Sequence, residues 1–123
     1  MKVECVRLRD GRESAGDSDG WLRVGEQYDV LAIETNVLAS MPPMRASFRV
    51  FEPRDGIPGL WATSLFEVID ASVSRRWTAK VEEDGNLMLA PSAWHAEGFW
   101  ARLADGEPGA QKEYRTELDH LVG

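Results

Sequence analysis

The chain has 123 residues, 43% of them hydrophobic and 28% charged, with a single cysteine and a formal net charge of −7. This is the size and composition of one globular domain, which excludes wholesale disorder and any internal disulfide. The charge is uneven: residues 1–76 carry 10 basic and 12 acidic side chains, whereas residues 77–123 carry 4 and 9. An acidic tail half repels phosphate backbones and anionic lipid, so nucleic acid and membrane are poor partners and a basic protein surface is a good one. A chain of this length buries roughly two-thirds of its unfolded surface, so its core requires neither disulfide nor metal.

Charges interrupt the first ten residues, Met1-Lys2-Val3-Glu4-Cys5-Val6-Arg7-Leu8-Arg9-Asp10, every second or third position. No signal peptide or membrane span fits there, and a cytoplasmic location is expected. Residues 2–8 read as a first strand, with Val3 and Cys5 on one face and Val6 and Leu8 on the other. Cys5 reads as a buried small hydrophobe in preference to a reactive thiol. Residues 10–20, polar and holding three glycines, read as a surface loop. Residues 21–34 hold a second strand in which Tyr28, Val30 and Ala32 share one face and Leu31 and Ile33 the other. Residues 36–44 include Pro42-Pro43 and read as a loop. In residues 45–51, Phe48 and Val50 alternate with Arg49 and Phe51.

After the turn cluster of residues 53–59, residues 60–62 read as a strand, 63–65 as a short helical turn, and 66–69 as another strand. Residues 77–89 form a hairpin: Trp77, Ala79 and Val81 alternate with Thr78, Lys80 and Glu82, and Asp84-Gly85 supplies the tight turn. From Pro91 a helix is expected, with Trp94, Phe99, Trp100 and Leu103 on its apolar side and Gly98 as a weak point. A break at residues 105–109 precedes a last helix with Ala110, Tyr114 and Leu118 inward and Glu113 and Glu117 on the wet side.

Two segments carry a family resemblance. Gly25, Tyr28 and Val30 make a Gly-x-x-Tyr-x-Val strand, and Trp61, residues 62–65 and Phe66-Glu67-Val68 make an aromatic, a helical turn and a closing strand. Residues 1–70 thereby resemble an Src-homology-3-like barrel, which implies a mainly β (α+β) fold. The layout is then one domain: barrel at 1–70, hairpin at 71–90 and a helical tail at 91–123 packed on it. The aromatic row that polyproline-binding members of that family carry is missing. The whole chain also resembles small bacterial proteins of the same layout, and it is similar in size and charge to immunity proteins of contact-dependent toxin systems.

No residue set meets the demands of a reactive centre. His95-Ala96-Glu97 has the His-x-Glu of zinc deaminases, but that chemistry needs a downstream cysteine pair and the one cysteine is Cys5. A metal set of His95, Glu97, Asp119 and His120 would have to converge across helix faces, so neither metal nor cofactor is expected. Ser92 lies one turn before His95, yet after Pro91 it is better placed to cap a helix than to attack. Glu82, Glu83 and Asp84 sit at a hairpin tip, where they stay solvated. Gly56 and Gly59 lack the lysines of a phosphate clamp, and Arg7, Arg9, Arg45, Arg49 and Arg54 pair more naturally with barrel acids than with nucleic acid. The tryptophans are the strongest signal. Trp77, Trp94 and Trp100 either cement the tail to the barrel or anchor a partner.

The expectation is a non-enzymatic module that binds a basic protein, as an inhibitor or immunity-type protein does. Trp94, Trp100 and Trp77 would be its anchors and Glu82, Glu83, Asp84, His95 and Glu97 its polar contacts. A small-ligand site or small enzyme built on His95 and Glu97 is the second reading, and a nucleic-acid-binding barrel the third.

Overall fold

The computed structural model describes residues 1–8, 22–35, 46–51, 58–82 and 85–122. The loops expected at 10–20 and 36–44, and most of the turn cluster at 53–59, lie outside these residues, as do Glu83 and Asp84. Seven strands are described: β1 (Lys2–Cys5), β2 (Gln27–Thr35), β3 (Ala46–Val50), β4 (Gly59–Ala62), β5 (Phe66–Asp70), β6 (Trp77–Val81) and β7 (Leu87–Pro91). A 3-10 turn, Thr63–Leu65, joins β4 to β5, and another, Ser92–His95, follows β7. The helices are α1 (Phe99–Ala104) and α2 (Pro108–Leu121). The mainly β architecture with two C-terminal helices is thus the one the alternation predicts.

All strand pairings are antiparallel, and five strands run in the order β4-β3-β2-β1-β5. The sheet is open, with β4 and β5 at its ends, but it curls. Val3, Cys5, Tyr28, Val30, Phe48, Val50, Leu65 and Phe66, drawn from β1, β2, β3, β5 and the first 3-10 turn, pack into one core. The rings of Phe48 and Tyr28 both meet Phe66 edge-on, at 5.9 and 6.4 Å. Gly59 makes room for the Trp61 side chain, because a Cβ there would stand 2.4 Å from the indole nitrogen.

The hairpin is not an appendage. β7 pairs with the far half of β2 (Ile33↔Leu89, Glu34↔Met88, Thr35↔Leu87), on the edge whose near half β1 occupies. β2 can serve both because it is long and because its ladder to β3 shifts register between Val30 and Ala32. The shift behaves as a bulge and reverses the strand's phase. Tyr28, Val30 and Ile33 therefore face the first core, while Leu31 and Ala32 face a second. Strict alternation, which placed Ala32 with Tyr28 and Val30, fails at this bulge.

The second core joins Leu31, Ala32 and Ala90 to Trp94, Phe99, Leu103, Ala110 and Tyr114. The single helix expected from Pro91 is in fact two elements. Pro91 ends β7 and is buried, and Ser92 opens the 3-10 turn without capping it. Gly98 then adopts φ 73°, a left-handed conformation that glycine takes without steric cost, and α1 starts afresh behind it. Glu117 is a further departure: it is 8% exposed, not on the wet face. Arg76, in the connection before β6, explains it by donating to both carboxylate oxygens at 2.6 and 2.9 Å. These bonds hold the Glu117 carboxyl below the usual carboxylate range despite its burial.

Candidate functional site

In an antiparallel sheet, residues directly opposite one another point to the same side. The ladders therefore define a transverse row, Ala62–Ser47–Glu34–Met88–Lys80, across β4, β3, β2, β7 and β6. Two positions along each strand, on the same side, stand Leu60, Arg49 and Ala32, with Ala90 and Thr78 on the hairpin. The second core seals Ala32 and Ala90 completely. It stops there, because the covering elements are short: a four-residue 3-10 turn and a six-residue helix. The rest of that sheet face lies open as a groove of about 960 Å³. Glu34, Ser47, Leu60, Lys80 and Met88 line it from the sheet, and the run from Trp94 to Ala101 lines it from the helical side.

The groove gathers five of the residues singled out in the sequence: Glu82, Trp94, His95, Glu97 and Trp100. Trp77 is not among them. It points through the other face of β6 into the first core and is 9% exposed. Glu83 and Asp84 lie outside the described residues. Trp94 is 1% exposed, which corrects its reading as a surface anchor. It stacks on Phe99 at 6.2 Å and on Tyr114 at 5.2 Å, so this indole cements the tail. Trp100 is only partly buried and meets Trp94 edge-on at 5.5 Å.

The charges of the groove are mostly spoken for. Arg49 lies over the Trp100 ring at 3.9 Å and donates to Glu34 at 2.6 Å, joining β2, β3 and α1 in one stack. Lys80 donates to the His95 carbonyl at 2.8 Å and pairs with Glu82 at 3.4 Å. Glu97 is exposed and makes no ion pair among the described residues. His95 Nε2 lies 2.8 Å from the Thr78 carbonyl oxygen, which can only accept, so Nε2 carries the hydrogen. Its Nδ1 is shielded from solvent and has no hydrogen-bond partner among the described residues.

This arrangement leaves Nδ1 as the ring nitrogen with a lone pair, but closed off from solvent, and among the described residues Ser92 makes no bond to it. Among the described residues no three His, Cys, Asp or Glu side chains converge, so His95, Glu97, Asp119 and His120 form no metal set. The other arginines with side-chain bonds among the described residues are committed to the fold: Arg7 donates to the Ser64 carbonyl, Arg76 to Glu117 and Arg102 to Glu107. No helix among the described residues is long and apolar enough to cross a membrane.

Glu34, Ser47, Leu60, Lys80 and Met88 escaped sequence reasoning. Their alternation was visible strand by strand, but the register that aligns them across five strands was not. Compared with family models, with curated proteins and with solved structures, the chain finds no match.

Proposed function

We propose that this protein is a non-enzymatic binding module that takes a basic segment of a protein partner into the groove between the hairpin and α1. The observation that carries this reading is the Glu97 carboxylate, exposed and without an ion pair among the described residues, in a groove that Leu60, Met88 and Trp100 also line, in a chain whose tail half is acidic. Apolar contact supplies affinity and a free carboxylate selects a cation, the usual division of labour in recognition grooves. An inhibitor or immunity-type role is the biological form of this reading. The order β4-β3-β2-β1-β5, with a 3-10 turn between β4 and β5, supports grouping residues 1–70 with Src-homology-3-like barrels.

A peptide array graded by net charge tests the proposal. Binding is expected to follow lysine and arginine content and to weaken as salt rises. An array in which acidic and basic sequences bind alike would overturn it.

The small-ligand reading has one observation in its favour: a groove of about 960 Å³ falls in the upper range of ligand sites. A saturable tryptophan-emission response to a metabolite, with no response to basic peptides, would select that reading instead.

A further inference from the structure

We propose that the outer edge of β5 accepts an extended segment of a protein partner as a further strand of the sheet. A lysine or arginine of that segment would stand directly opposite Glu67, and an apolar residue next to it would cover Val68. This edge shares no residue with the groove, and the inference stands apart from the binding reading above.

β5 ends its side of the sheet and, among the described residues, pairs with β1 alone. The backbone of β1 fixes which groups of β5 are left over. Cys5 donates its N–H to the Glu26 carbonyl and accepts the Gly25 N–H on its own carbonyl, so its backbone faces β2. Glu4 therefore faces β5, as does Val6, whose N–H bonds the Leu65 carbonyl. Facing directions alternate along a strand. Opposite Glu4, Glu67 turns its N–H and C=O toward β1, and those of Val68 point off the edge. Residues 67–70 are all exposed, so the edge is open to solvent. Such an edge is a template for another strand.

Two side-chain features select the strand. Val68 stands opposite Val3, on the side of the first core, where Val3 is completely sealed; yet Val68 is 49% exposed. The core thus ends at a half-covered apolar side chain, and an apolar residue on an added strand would complete its burial. On the outer face Glu67 stands directly opposite Glu4, and neither makes an ion pair among the described residues. Like charges in that position weaken a sheet. The neighbouring charges are engaged: Lys2 pairs with Asp29, and Asp70 accepts from the Ser72 N–H and hydroxyl. A cation opposite Glu67 would offset both carboxylates. By the alternation above that position is a non-hydrogen-bonded pair, the class in which facing side chains come closest. β5 holds no lysine or arginine, so the same strand of a second copy does not supply the cation. The register shift beside Ile69 bends the end of β5 and keeps the added ladder short, which places the selectivity on Glu67 and Val68.

The test titrates a labelled, capped heptapeptide of alternating valine and lysine into the intact chain. Fluorescence anisotropy reads affinity, and amide hydrogen exchange over residues 66–70 reads location. Saturable binding with slowed exchange at residues 66–70 is expected. Glu67→Lys should weaken binding roughly fivefold and turn the preference toward the valine–glutamate counterpart. Because that variant also relieves the repulsion with Glu4, it should melt no lower than the parent chain, which separates lost binding from lost folding. Glu97→Gln, in the groove, should change nothing. Affinity that responds to Glu97→Gln and not to Glu67→Lys, with exchange unaltered at residues 66–70, would overturn the edge inference and leave the groove reading intact. Equal binding of the lysine and glutamate peptides, or no saturable binding, would also overturn it. Slowed exchange at residues 66–70 that rises with chain concentration in the absence of peptide would assign the edge to a second copy and overturn it as well.

Discussion

Replacing Trp94 by alanine asks whether this indole is cement. A buried indole removes roughly 150–250 Å² from water. At about 25 cal/mol/Å² that is worth ~4–6 kcal/mol, reduced by some 10–40% because the unfolded chain is already partly collapsed. Two further effects oppose each other. The cavity left against Phe99 and Tyr114 adds to the cost, while deleting an N–H that has no partner recovers ~1–3 kcal/mol. The net expectation is a loss of ~3–4 kcal/mol, inside the range typical of large-aromatic deletions. For a domain of this size that corresponds to a melting point lower by about 10–20 °C. Urea unfolding followed by far-ultraviolet circular dichroism measures it without relying on tryptophan emission, and the slope should be unchanged. Trp100→Ala, at a half-buried site, should cost clearly less. A Trp94→Ala loss below about 1 kcal/mol would refute the packing argument and restore Trp94 as a candidate anchor.

Two other expectations concern the fold away from the groove. The Glu117 carboxyl is held below its unfolded value by Arg76, so its contribution to stability is present above the unfolded carboxylate range and is lost as pH falls through the folded value. Stability should accordingly fall from about pH 5 downward, and Glu117→Gln should lower stability at neutral pH and flatten that acid limb; an acid limb unchanged in the variant would show that the pair is not responsible. Cys5 is fully buried, donates to the Arg7 carbonyl, and its thiol is pushed up by burial. It should resist iodoacetamide in the native chain and react fully in urea, and rapid native alkylation at neutral pH would contradict its placement in the first core.

Much of the fold was legible along the chain because its signals are local. Period-two alternation located β3, β6 and β7, the Gly-x-x-Tyr-x-Val run located β2, and the 3-10 turn fell at Thr63–Leu65 where it was expected. Expectations failed where a distant contact overrode a local pattern. The bulge in β2 moved Ala32 to the opposite face, Gly98 divided one expected helix into two elements, and Arg76 drew Glu117 into the interior.

The amino-acid order by itself determined which residues could face inward, where the hairpin and the last helix lie, and that the tail half is acidic and rich in indoles. Those properties depend on neighbours a few positions apart. Only the tertiary structure decided that Trp77 and Trp94 are core, that Glu82, His95, Glu97 and Trp100 line one groove with Glu34, Leu60 and Met88, and that Glu97 makes no ion pair among the described residues. These facts depend on the register between β2, β3 and β7 and on how far two short helical elements reach across a sheet. Both are set by packing energies summed over residues far apart in the chain, which no local pattern encodes.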